Sequence, residues 1–262
     1  MPMMFIFGLG YAAGHVARAL RARGWDVLST GASGTMAFDD ASSVQLGLAS
    51  ATHVLSSVPP VADGDPVLNA YGDLLVARRD LWLGYLSSTG VYGDADGAWV
   101  DESAPIKGRR GNRNDADAEW LSRGARVFRL PGIYGPGRSA LDRVREGQAH
   151  RIDLPDQVFS RVHVDDITSG VVAALAAPAG AYNLADDQPC SQNAVIEHAC
   201  ALTGTVVPPI RSMDEAGLSP MARAFYAENR RVANGKAKRV LGWTPSYPGY
   251  RSGLAACLAA EG

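Results

Sequence analysis

The sequence predicts an α/β protein, with a doubly wound parallel sheet followed by a smaller C-terminal lobe. Through the first 130 residues, short apolar segments typical of buried strands alternate with longer stretches of helical periodicity. After Gly132 the segments become shorter and glycine and proline become more frequent, as in Gly135-Pro136-Gly137. We therefore expect a sheet domain formed by residues 1–134 and 157–180, and a smaller lobe formed by residues 135–156 and 181–262.

The chain begins with a strand–helix–strand unit. Residues 3–7 form an apolar run, residues 11–23 have helical spacing and are ended by Gly24, and residues 25–29 form the second strand. Parallel strands joined in this way have a right-handed crossover.

Three later apolar segments continue the sheet, at residues 51–56, 82–87 and 126–130. Asp65 followed by Pro66 supplies a helix N-cap and a proline at the first helical position, which predicts a helix to about Arg79. Residues 112–122 predict another helix.

Beyond the sheet segments, residues 158–164 predict a further strand. Asp165 and Asp166 follow it directly, and we expect them to cap the next helix.

Composition and charge exclude several functional classes. The chain has 25 basic and 27 acidic residues, a net charge of −2 and no long Lys/Arg block, so nucleic acid and anionic membranes are not expected partners. No apolar run approaches the roughly 20 residues of a membrane-spanning helix, and no basic residue precedes the first apolar run. We therefore expect a soluble, cytoplasmic protein without a signal peptide.

The cysteines and histidines give no support for a metal site. Cys190, Cys200 and Cys257 are odd in number and far apart, which fits free, buried thiols in a reducing compartment. The five histidines show neither His-x-x-x-His nor Glu-x-x-His spacing, so we expect no bound metal.

A glycine-rich turn, Gly8-Leu9-Gly10-Tyr11-Ala12-Ala13-Gly14, joins the first strand to its helix. Glycine permits the tight turn and the close approach of a pyrophosphate, whose charge backbone N–H groups and the helix N-terminus would meet. Ala13 stands at the third glycine position, which the dinucleotide pattern permits. Such turns also occur for packing alone, but strand, turn and helix here follow the order of a Rossmann-type dinucleotide site.

The end of the second strand bears on the choice between NAD and NADP. An acidic residue there would bind the ribose 2′-hydroxyl of NAD, but the sequence reads Leu28-Ser29-Thr30-Gly31-Ala32-Ser33. The hydroxyls of Ser29, Thr30 and Ser33 could donate to a 2′-phosphate, so we expect NADP in preference to NAD. Because no Arg or Lys lies in this stretch to balance the phosphate charge, the alternative is that either cofactor binds, or neither binds tightly. Asp39 is a candidate contact on the adenine side.

Six segments together resemble the extended short-chain dehydrogenase/reductase superfamily, which includes nucleotide-sugar epimerases and dehydratases. They are residues 8–14, 86–93, 129–137, 162–166, 182–184 and 241–245. They occur in the family's order and span nearly the whole chain. The resemblance implies a Rossmann-type domain, an NAD(P) cofactor and a C-terminal lobe that binds a small-molecule substrate.

The resemblance also implies roles for single residues. Ser88, three residues before Val91, matches the Ser or Thr that hydrogen-bonds the reacting oxygen, and a serine that merely closes the strand is the alternative. Ser57 and Pro59 match the segment that passes under the cofactor. Pro131 and Ile133 match the segment beside the nicotinamide.

The family's catalytic pair is missing from this chain. That pair is a Tyr with a Lys four residues later, whose charge lowers the pKa of the phenol. Four residues before the three lysines of this chain stand Ser103, Val232 and Asn234. With Ala118-Glu119 as the anchor, the two positions fall on Gly111 and Asp115. The sequence therefore resembles atypical members that keep the nucleotide fold and lose the usual catalytic residues.

Other groups must then supply any acid–base chemistry. Tyr92 and Tyr134 are the candidate acids, with water as the alternative. The region of the missing pair contains Arg109, Arg110 and Arg113 instead. Arginine clamps carboxylate or phosphate but holds its proton too firmly to act as an ordinary acid, and solvated surface charge is the other interpretation.

The expected diphosphate clamp is also missing. In nucleotide-sugar enzymes of this family an Arg four residues before the position of His163 often holds the diphosphate, and here that residue is Phe159. Arg161 and His163 alternate onto one face of their strand, and Arg138 follows the Gly135-Pro136-Gly137 turn. These three predict a site for a smaller anionic substrate, although a structural role explains His163 equally well.

Two functions from different classes remain open. One is an NAD(P)-dependent reductase, dehydrogenase or epimerase, which Ser88 and the full-length lobe favour. The other is a catalytically degenerate NAD(P)-binding module that senses redox state or regulates a partner, which the missing Tyr/Lys pair favours. A homodimer through the helices at residues 65–79 and 112–122 is unsupported, because the second helix is strongly polar.

Overall fold

Six parallel strands form the central sheet in the computed structural model, which describes residues 1–261 apart from the side chains of residues 221 and 222. Numbered in chain order, these strands are β1 (Met3–Phe7), β2 (Asp26–Ser29), β3 (His53–Ser56), β4 (Trp82–Ser88), β6 (Arg126–Leu130) and β10 (Gly180–Asn183). Their spatial order is β10-β6-β4-β3-β1-β2, so the winding direction changes between β1 and β3. This topology confirms the predicted doubly wound α/β class.

The helices of the described residues connect these strands and build the lobe. They are α1 (Tyr11–Arg21), α2 (Ala41–Ser50), α3 (Pro66–Ala77), α4 (Gly111–Ser122), α5 (Ala140–Arg145), α6 (Val164–Ala173), α7 (Gln192–Thr203), α8 (Pro220–Phe225), α9 (Gly235–Leu241) and α10 (Tyr250–Ala259). Short 3₁₀ turns lie at Thr89–Tyr92 and Ala174–Ala176. Within the described part of the chain, no helix has both the length and the apolar character needed to cross a bilayer.

Alternate residues of each strand enter two apolar layers. On β1, Met4 and Ile6 pack with residues of α1 and α6, whereas Phe5 and Phe7 pack with residues of α2, α3 and α4. This alternation follows from the period of two along a strand, and covering both faces with helices is typical of parallel sheets. The carboxyl ends of the parallel strands lie along one edge of the sheet.

The lobe has its own small core, in which α5, α7 and α10 pack around residues such as Leu141, Ile196 and Leu254. Three two-stranded parallel pairs complete the structure. They are β7 (Gly132–Tyr134) with β9 (Arg161–His163), β5 (Trp99–Val100) with β12 (Arg231–Val232), and β8 (Arg151–Ile152) with β11 (Ile210–Arg211).

Some elements differ from the sequence expectations. Strand β10 belongs to the central sheet, which therefore extends three residues past the domain boundary expected at residue 180. The sequence did not predict helix α2, because three serines and a glycine obscure its periodicity. The Asp40 side chain caps this helix by accepting from the Ser43 N–H. The cap of α6 is His163, whose Nδ1 accepts from the Asp165 N–H at 3.2 Å, so the expectation of an aspartate cap is corrected.

Candidate functional site

The strand register brings the first site residues to one edge of the sheet. Phe7 pairs with Ser56 across β1 and β3, and Ser88 pairs with Leu130 across β4 and β6. The residues that follow these pairs are Gly8, Ser57 and Pro131. In open α/β sheets ligands bind at this carboxyl edge, next to the change in winding direction between β1 and β3.

The glycine turn is built tightly on one side and is open on the other. Gly8 has φ +81°, and a Cβ there would lie 3.0 Å from the Val58 side chain, so glycine is required. Its N–H donates to Thr30 Oγ1 at 3.1 Å, and its carbonyl accepts from the Ser57 hydroxyl. A Cβ at Gly10 would meet nothing within 4 Å, which leaves room for a group to approach the backbone.

Helix α1 begins at this open side without a side-chain cap or an acidic residue in its first turn. Its first N–H groups therefore keep the unpaired positive end that suits an anion. Ala13 is 1% exposed and packs under the helix as part of the core, so the turn sits firmly on the sheet. The residues present fit the diphosphate of a dinucleotide.

Tyr11, the first residue of α1, joins the turn to the lobe. Its hydroxyl donates to the Pro136 carbonyl at 3.0 Å, and the Arg138 guanidinium lies over its ring at 5.5 Å. Burial raises the pKa of Tyr11 to about 12. A phenol that stays protonated and bonded in this way holds the lobe against α1.

At the end of β2, most of the predicted hydroxyls are turned inward. Ser29 is 0% exposed and Thr30 1% exposed, and the Thr30 oxygen is engaged by Gly8. Ser33 and Asp39 are exposed. Among the three hydroxyls predicted to meet a 2′-phosphate, the Ser33 side chain alone is therefore at the surface.

Ser88 ends β4 and starts the 3₁₀ turn Thr89–Tyr92. Its Oγ accepts from the Gly90 N–H at 3.1 Å, and the residue is half-buried. The hydroxyl hydrogen is still available as a donor. Pro131 and Ile133, predicted to lie beside a nicotinamide, are half-buried on the neighbouring segment, and Pro59 is exposed on the loop after β3.

Tyr92 lies inside a buried polar network. Its hydroxyl donates to Asn183 Oδ1 at 2.7 Å and accepts from Arg129 Nη1 at 3.1 Å. Arg129 also donates to both carboxylate oxygens of Asp117, at 2.6 and 3.1 Å, and the Ser87 hydroxyl donates to the same carboxylate at 2.6 Å. Burial raises the pKa of Tyr92, so its proton is held by the protein interior.

Tyr134 is enclosed by the lobe. It is 8% exposed, and its hydroxyl has no hydrogen-bond partner among the described residues. The hydroxyl lies against the backbone of α10, where a Cβ at Gly253 would overlap it. Burial raises the pKa of Tyr134, and its ring meets that of His163 edge-on at 5.2 Å.

Helix α4 turns different residues to the sheet from those aligned with the family's pair. Gly111 and Asp115 are both exposed, whereas Asp117 is buried against the sheet. Arg113 lies one turn before Asp117 on the same face. Its charge offsets part of the burial effect that raises the pKa of Tyr85 on β4, which also places it on the sheet side.

Arg113 is half-buried, and the ion pairs of the described residues do not include it. The side chains on either side of it hold loops: Asn112 donates to the Val61 carbonyl at 3.0 Å, and Asn114 to the Gly108 carbonyl at 2.8 Å. Arg109, in contrast, is paired with Glu228 at 2.7 Å. Arg110, which is exposed, is likewise absent from these ion pairs, so Arg113 is the half-buried arginine of this region without a carboxylate partner among the described residues.

The three predicted substrate residues do not share one surface. Arg138 is exposed, but Arg161 is 8% exposed and His163 1% exposed. Arg161 donates to the carbonyls of Phe159 and Cys190 and to Gln192 Oε1, at 2.9, 3.1 and 2.9 Å. Burial lowers the pKa of His163, which packs against Tyr247 at 4.1 Å between ring centroids. These contacts hold Arg161 and His163 in the protein interior, which favours a structural role for both over a role in binding substrate.

Sequence reasoning missed the Asp117–Arg129 pair and the free position of Arg113. Both depend on which face of α4 packs against the sheet, and the sequence pattern of this polar helix does not indicate that face. No group of three or more His, Cys, Asp or Glu side chains arranged to hold a metal ion occurs within residues 1–261 as described.

Comparisons with known proteins agree with this architecture. The chain is 41% identical to a functionally unknown conserved protein from Silicibacter pomeroyi DSS over 99% of both chains, with a TM-score of 0.89. The fold also matches that of dTDP-glucose 4,6-dehydratase from Bacillus anthracis str. Ames, solved with NAD, over 100% of this chain and 98% of the other. The TM-score is 0.77 at 14% identity.

A third match is shorter. Over 143 residues, which are 49% of this chain, it is 32% identical to a 3-diazoavenalumate denitrifying reductase from a Streptomyces species. The match covers 45% of that reductase, so the chain spans less than half of its length. No protein-family model matches the sequence. The solved neighbours include NAD-dependent epimerases and dehydratases, and the chain has their Rossmann-type fold.

Proposed function

We propose that the protein is a nicotinamide-dinucleotide-dependent oxidoreductase that acts on a small anionic substrate. The observation that carries the proposal is the open, uncapped start of α1 at Gly10, on the same sheet edge as Ser88. A solved neighbour binds NAD at low sequence identity, and the partial match to a Streptomyces reductase supports redox chemistry over a purely structural role. When bound, the dinucleotide would supply a hydride donor or acceptor.

We assign the dinucleotide to residues at the carboxyl edge of the sheet and to those that the family resemblance implies. Gly8, Gly10 and Ala13 would lie under the diphosphate at the start of α1, and Ser57 and Pro59 on the loop after β3 would pass beneath it. On the nicotinamide side stand Pro131 and Ile133, and on the adenosine side Thr30 and Asp39. Thr30 would act through the Gly8 N–H that it holds, because its own side chain is buried.

The preference for NADP remains part of the proposal. It rests on the absence of a carboxylate from residues 28–33 and on the exposed hydroxyl of Ser33. Since no Lys or Arg lies in this stretch, we expect a preference of less than about tenfold.

In the proposed reaction the chain works without a tyrosine acid. Ser88 donates its hydroxyl hydrogen to the reacting oxygen of the substrate, while the Gly90 N–H orients the serine. Tyr92 and Tyr134 are not assigned the role of the acid, because both side chains are buried. Water is then the remaining candidate for the acid that exchanges a proton with the reacting oxygen. Proton transfer with water is slower than with a positioned acid.

The anionic group of the substrate would meet the cations that have no carboxylate partner. We assign this role to Arg113 on the sheet side of α4 and to Arg138 beside Tyr11. Arginine binds carboxylate or phosphate through a planar pair of donors.

A thermal titration tests the proposal. We expect millimolar NADPH, NADP, NADH or NAD to raise the melting temperature, by roughly 5 °C or more when the ligand exceeds its Kd by about 100-fold. No shift with any of the four overturns the dinucleotide site. A shift without hydride transfer to any carbonyl substrate would instead support the binding module as the function.

A further inference from the structure

The residue that stands at the diphosphate-clamp position lies next to the reaction edge. Phe159 exchanges two backbone hydrogen bonds with Cys190, at 2.9 and 3.1 Å. The adjacent Ser160 carbonyl accepts from the Gly132 N–H at 3.3 Å. Gly132 is two residues beyond Leu130, the strand partner of Ser88. Phe159 is therefore fixed on the segment that borders the proposed cleft.

Phe159 is the base of a three-ring cluster with Phe225 and Tyr226. The rings of Phe159 and Phe225 are parallel, with 4.3 Å between centroids and 10° between planes. Tyr226 meets both rings edge-on, at 5.6 and 5.7 Å. Phe159 is 9% exposed, but Phe225 is 50% exposed. Because the stack covers one face of Phe225, the exposure belongs to its other face.

A chain of hydrogen bonds links the segment of the exposed ring to the turn that follows Ser88. The Arg109 guanidinium donates to the Ala224 carbonyl at 2.8 Å and pairs with Glu228 at 2.7 Å. Just before Arg109, the N–H groups of Lys107 and Gly108 both donate to the Val91 carbonyl at 2.9 Å. One short loop thus connects the Phe225 segment with the Thr89–Tyr92 turn.

The cations near the cluster are either exposed or already bonded to protein groups. The Arg161 guanidinium lies 5.9 Å from the Phe159 ring and is bonded to protein acceptors through both terminal nitrogens. Arg109 and Arg230 share the carboxylate of Glu228, at 2.7 and 2.6 Å, and Arg143, whose charge opposes the effect of burial on the pKa of Tyr226, is exposed. An open aromatic face attracts a planar ring through stacking and burial of apolar surface, which needs no cation.

We propose that the substrate is a planar aromatic carboxylate whose ring stacks on the exposed face of Phe225. This inference rests on the proposed function and gives its anionic substrate a chemical class. The rings of Phe159 and Tyr226 hold Phe225 in place, and the carboxylate is left to the arginines of the cleft. We expect nucleoside-diphosphate sugars to bind less well, because Phe159 stands where the family resemblance implies an Arg that holds the diphosphate.

Calorimetric titration of the protein, with and without NADPH, tests the inference. The probes are cinnamate, cyclohexanecarboxylate as a non-planar acid of similar charge, and UDP-glucose. We expect cinnamate to bind at least about fivefold more tightly than cyclohexanecarboxylate, and UDP-glucose to bind more weakly than cinnamate. Phe225→Ser should weaken cinnamate binding about tenfold, whereas Phe225→Tyr should retain it.

The matched control is Leu46→Ser on α2, where a 73% exposed apolar side chain is removed far along the chain from the cluster. It should leave cinnamate binding unchanged. Tighter binding of UDP-glucose than of cinnamate, or equal cinnamate affinity in Phe225→Ser, overturns the aromatic site. If cinnamate fails to bind while NADPH still raises the melting temperature, the inference fails and the proposed function stands. If NADPH itself has no effect, the proposed function fails.

Discussion

At the scale of single residues, the site separates hydroxyls that face the sheet edge from hydroxyls that serve the interior. The Ser88 hydroxyl oxygen accepts a hydrogen bond from the Gly90 N–H, and its hydrogen remains available to donate to a ligand. Tyr92 uses its hydroxyl as both donor and acceptor within the protein. Tyr134 is enclosed against α10. The burial that raises the pKa of both tyrosines opposes their use as acids near neutral pH.

The different surroundings of these three hydroxyls predict a different outcome for each of three substitutions. Ser88→Ala should lower kcat by about 10²–10³-fold with little change in dinucleotide affinity, because it removes one oriented donor to the reacting oxygen. Tyr92→Phe should leave kcat nearly unchanged but cost about 1–3 kcal/mol of unfolding free energy, since it strands the buried Asn183 and Arg129 groups. Tyr134→Phe should be neutral in both respects, because its hydroxyl has no partner among the described residues.

Steady-state kinetics and urea unfolding of the same variants give the two readouts. Ser88→Thr is the control, since it restores a hydroxyl to the alanine variant's position. A fall in kcat in Tyr134→Phe or Tyr92→Phe, with stability as expected, would return the acid role to that tyrosine. Full turnover in Ser88→Ala would remove the role assigned to the serine.

At the scale of elements, five of the six strands of the sheet could be predicted to within two residues at each end, but β10 and the orientation of the helices could not. Met3–Phe7 and Arg126–Leu130 form as expected because buried parallel strands are short apolar runs bounded by turn residues. Helix α4 was located within one residue of its start, yet its sheet-facing side was not identified. Asp117 looks solvated in sequence, and Arg129 is the partner on β6 that makes its burial tolerable.

The positions of some candidate site residues at the sheet edge were also predictable. The Gly8 and Gly10 turn, Ser88 and Pro131 follow strands, so locating the strands also located these residues on one edge. Arg161 and His163 sit on the predicted strand, but a strand alone does not show what covers it. The lobe packs over both, which only long-range contacts such as the 3.1 Å bond between Arg161 and the Cys190 carbonyl reveal.

The start of α1 gives a prediction in which folding and binding separate. Gly10→Ala should leave unfolding free energy within about 0.5 kcal/mol, because its φ of −86° suits any residue and the new Cβ has open space. The methyl group nevertheless fills the approach to the backbone, so dinucleotide affinity should fall by about tenfold or more. Isothermal titration and urea unfolding measure the two effects.

Two glycines of the same turn are the controls. Gly14→Ala, inside the helix with only the flexible Arg18 side chain at 3.7 Å, should keep binding and raise stability by about 0.5–1 kcal/mol. Gly8→Ala should destabilise the fold, because of its φ of +81° and the contact with Val58. Unchanged affinity in Gly10→Ala would show that the dinucleotide does not lie at this turn.

At the scale of the whole molecule, the sheet domain and the lobe are joined through β9 and β10. The Asp186 N–H, just after β10, donates to the Arg161 carbonyl of β9 at 2.7 Å. Asp186 is 2% exposed, and neither carboxylate oxygen has a well-aligned hydrogen-bond partner among the described residues. Burial raises the pKa of Asp186 to about 7, and the charge of Arg161 offsets only part of this effect. At this junction, burial therefore favours the protonated, neutral form of Asp186 over its charged form.

This acid predicts how the stability of the whole protein depends on pH. The native pKa of about 7 lies above the value of about 3.9 for an unfolded Asp, so the native state binds more protons between these two values. The contribution of Asp186 to the free energy of unfolding is therefore fully present below about pH 4. It is lost as pH rises through 7, by up to about 4 kcal/mol. Asp186→Asn should remove this dependence and make the protein more stable than wild type at pH 8, as measured by urea unfolding from pH 5 to 8. The exposed Asp153, changed to Asn, should leave the wild-type slope in place. A wild-type slope in Asp186→Asn would mean that the carboxyl of Asp186 is already ionised in the native protein at pH 5, with Arg161 as its counter-ion.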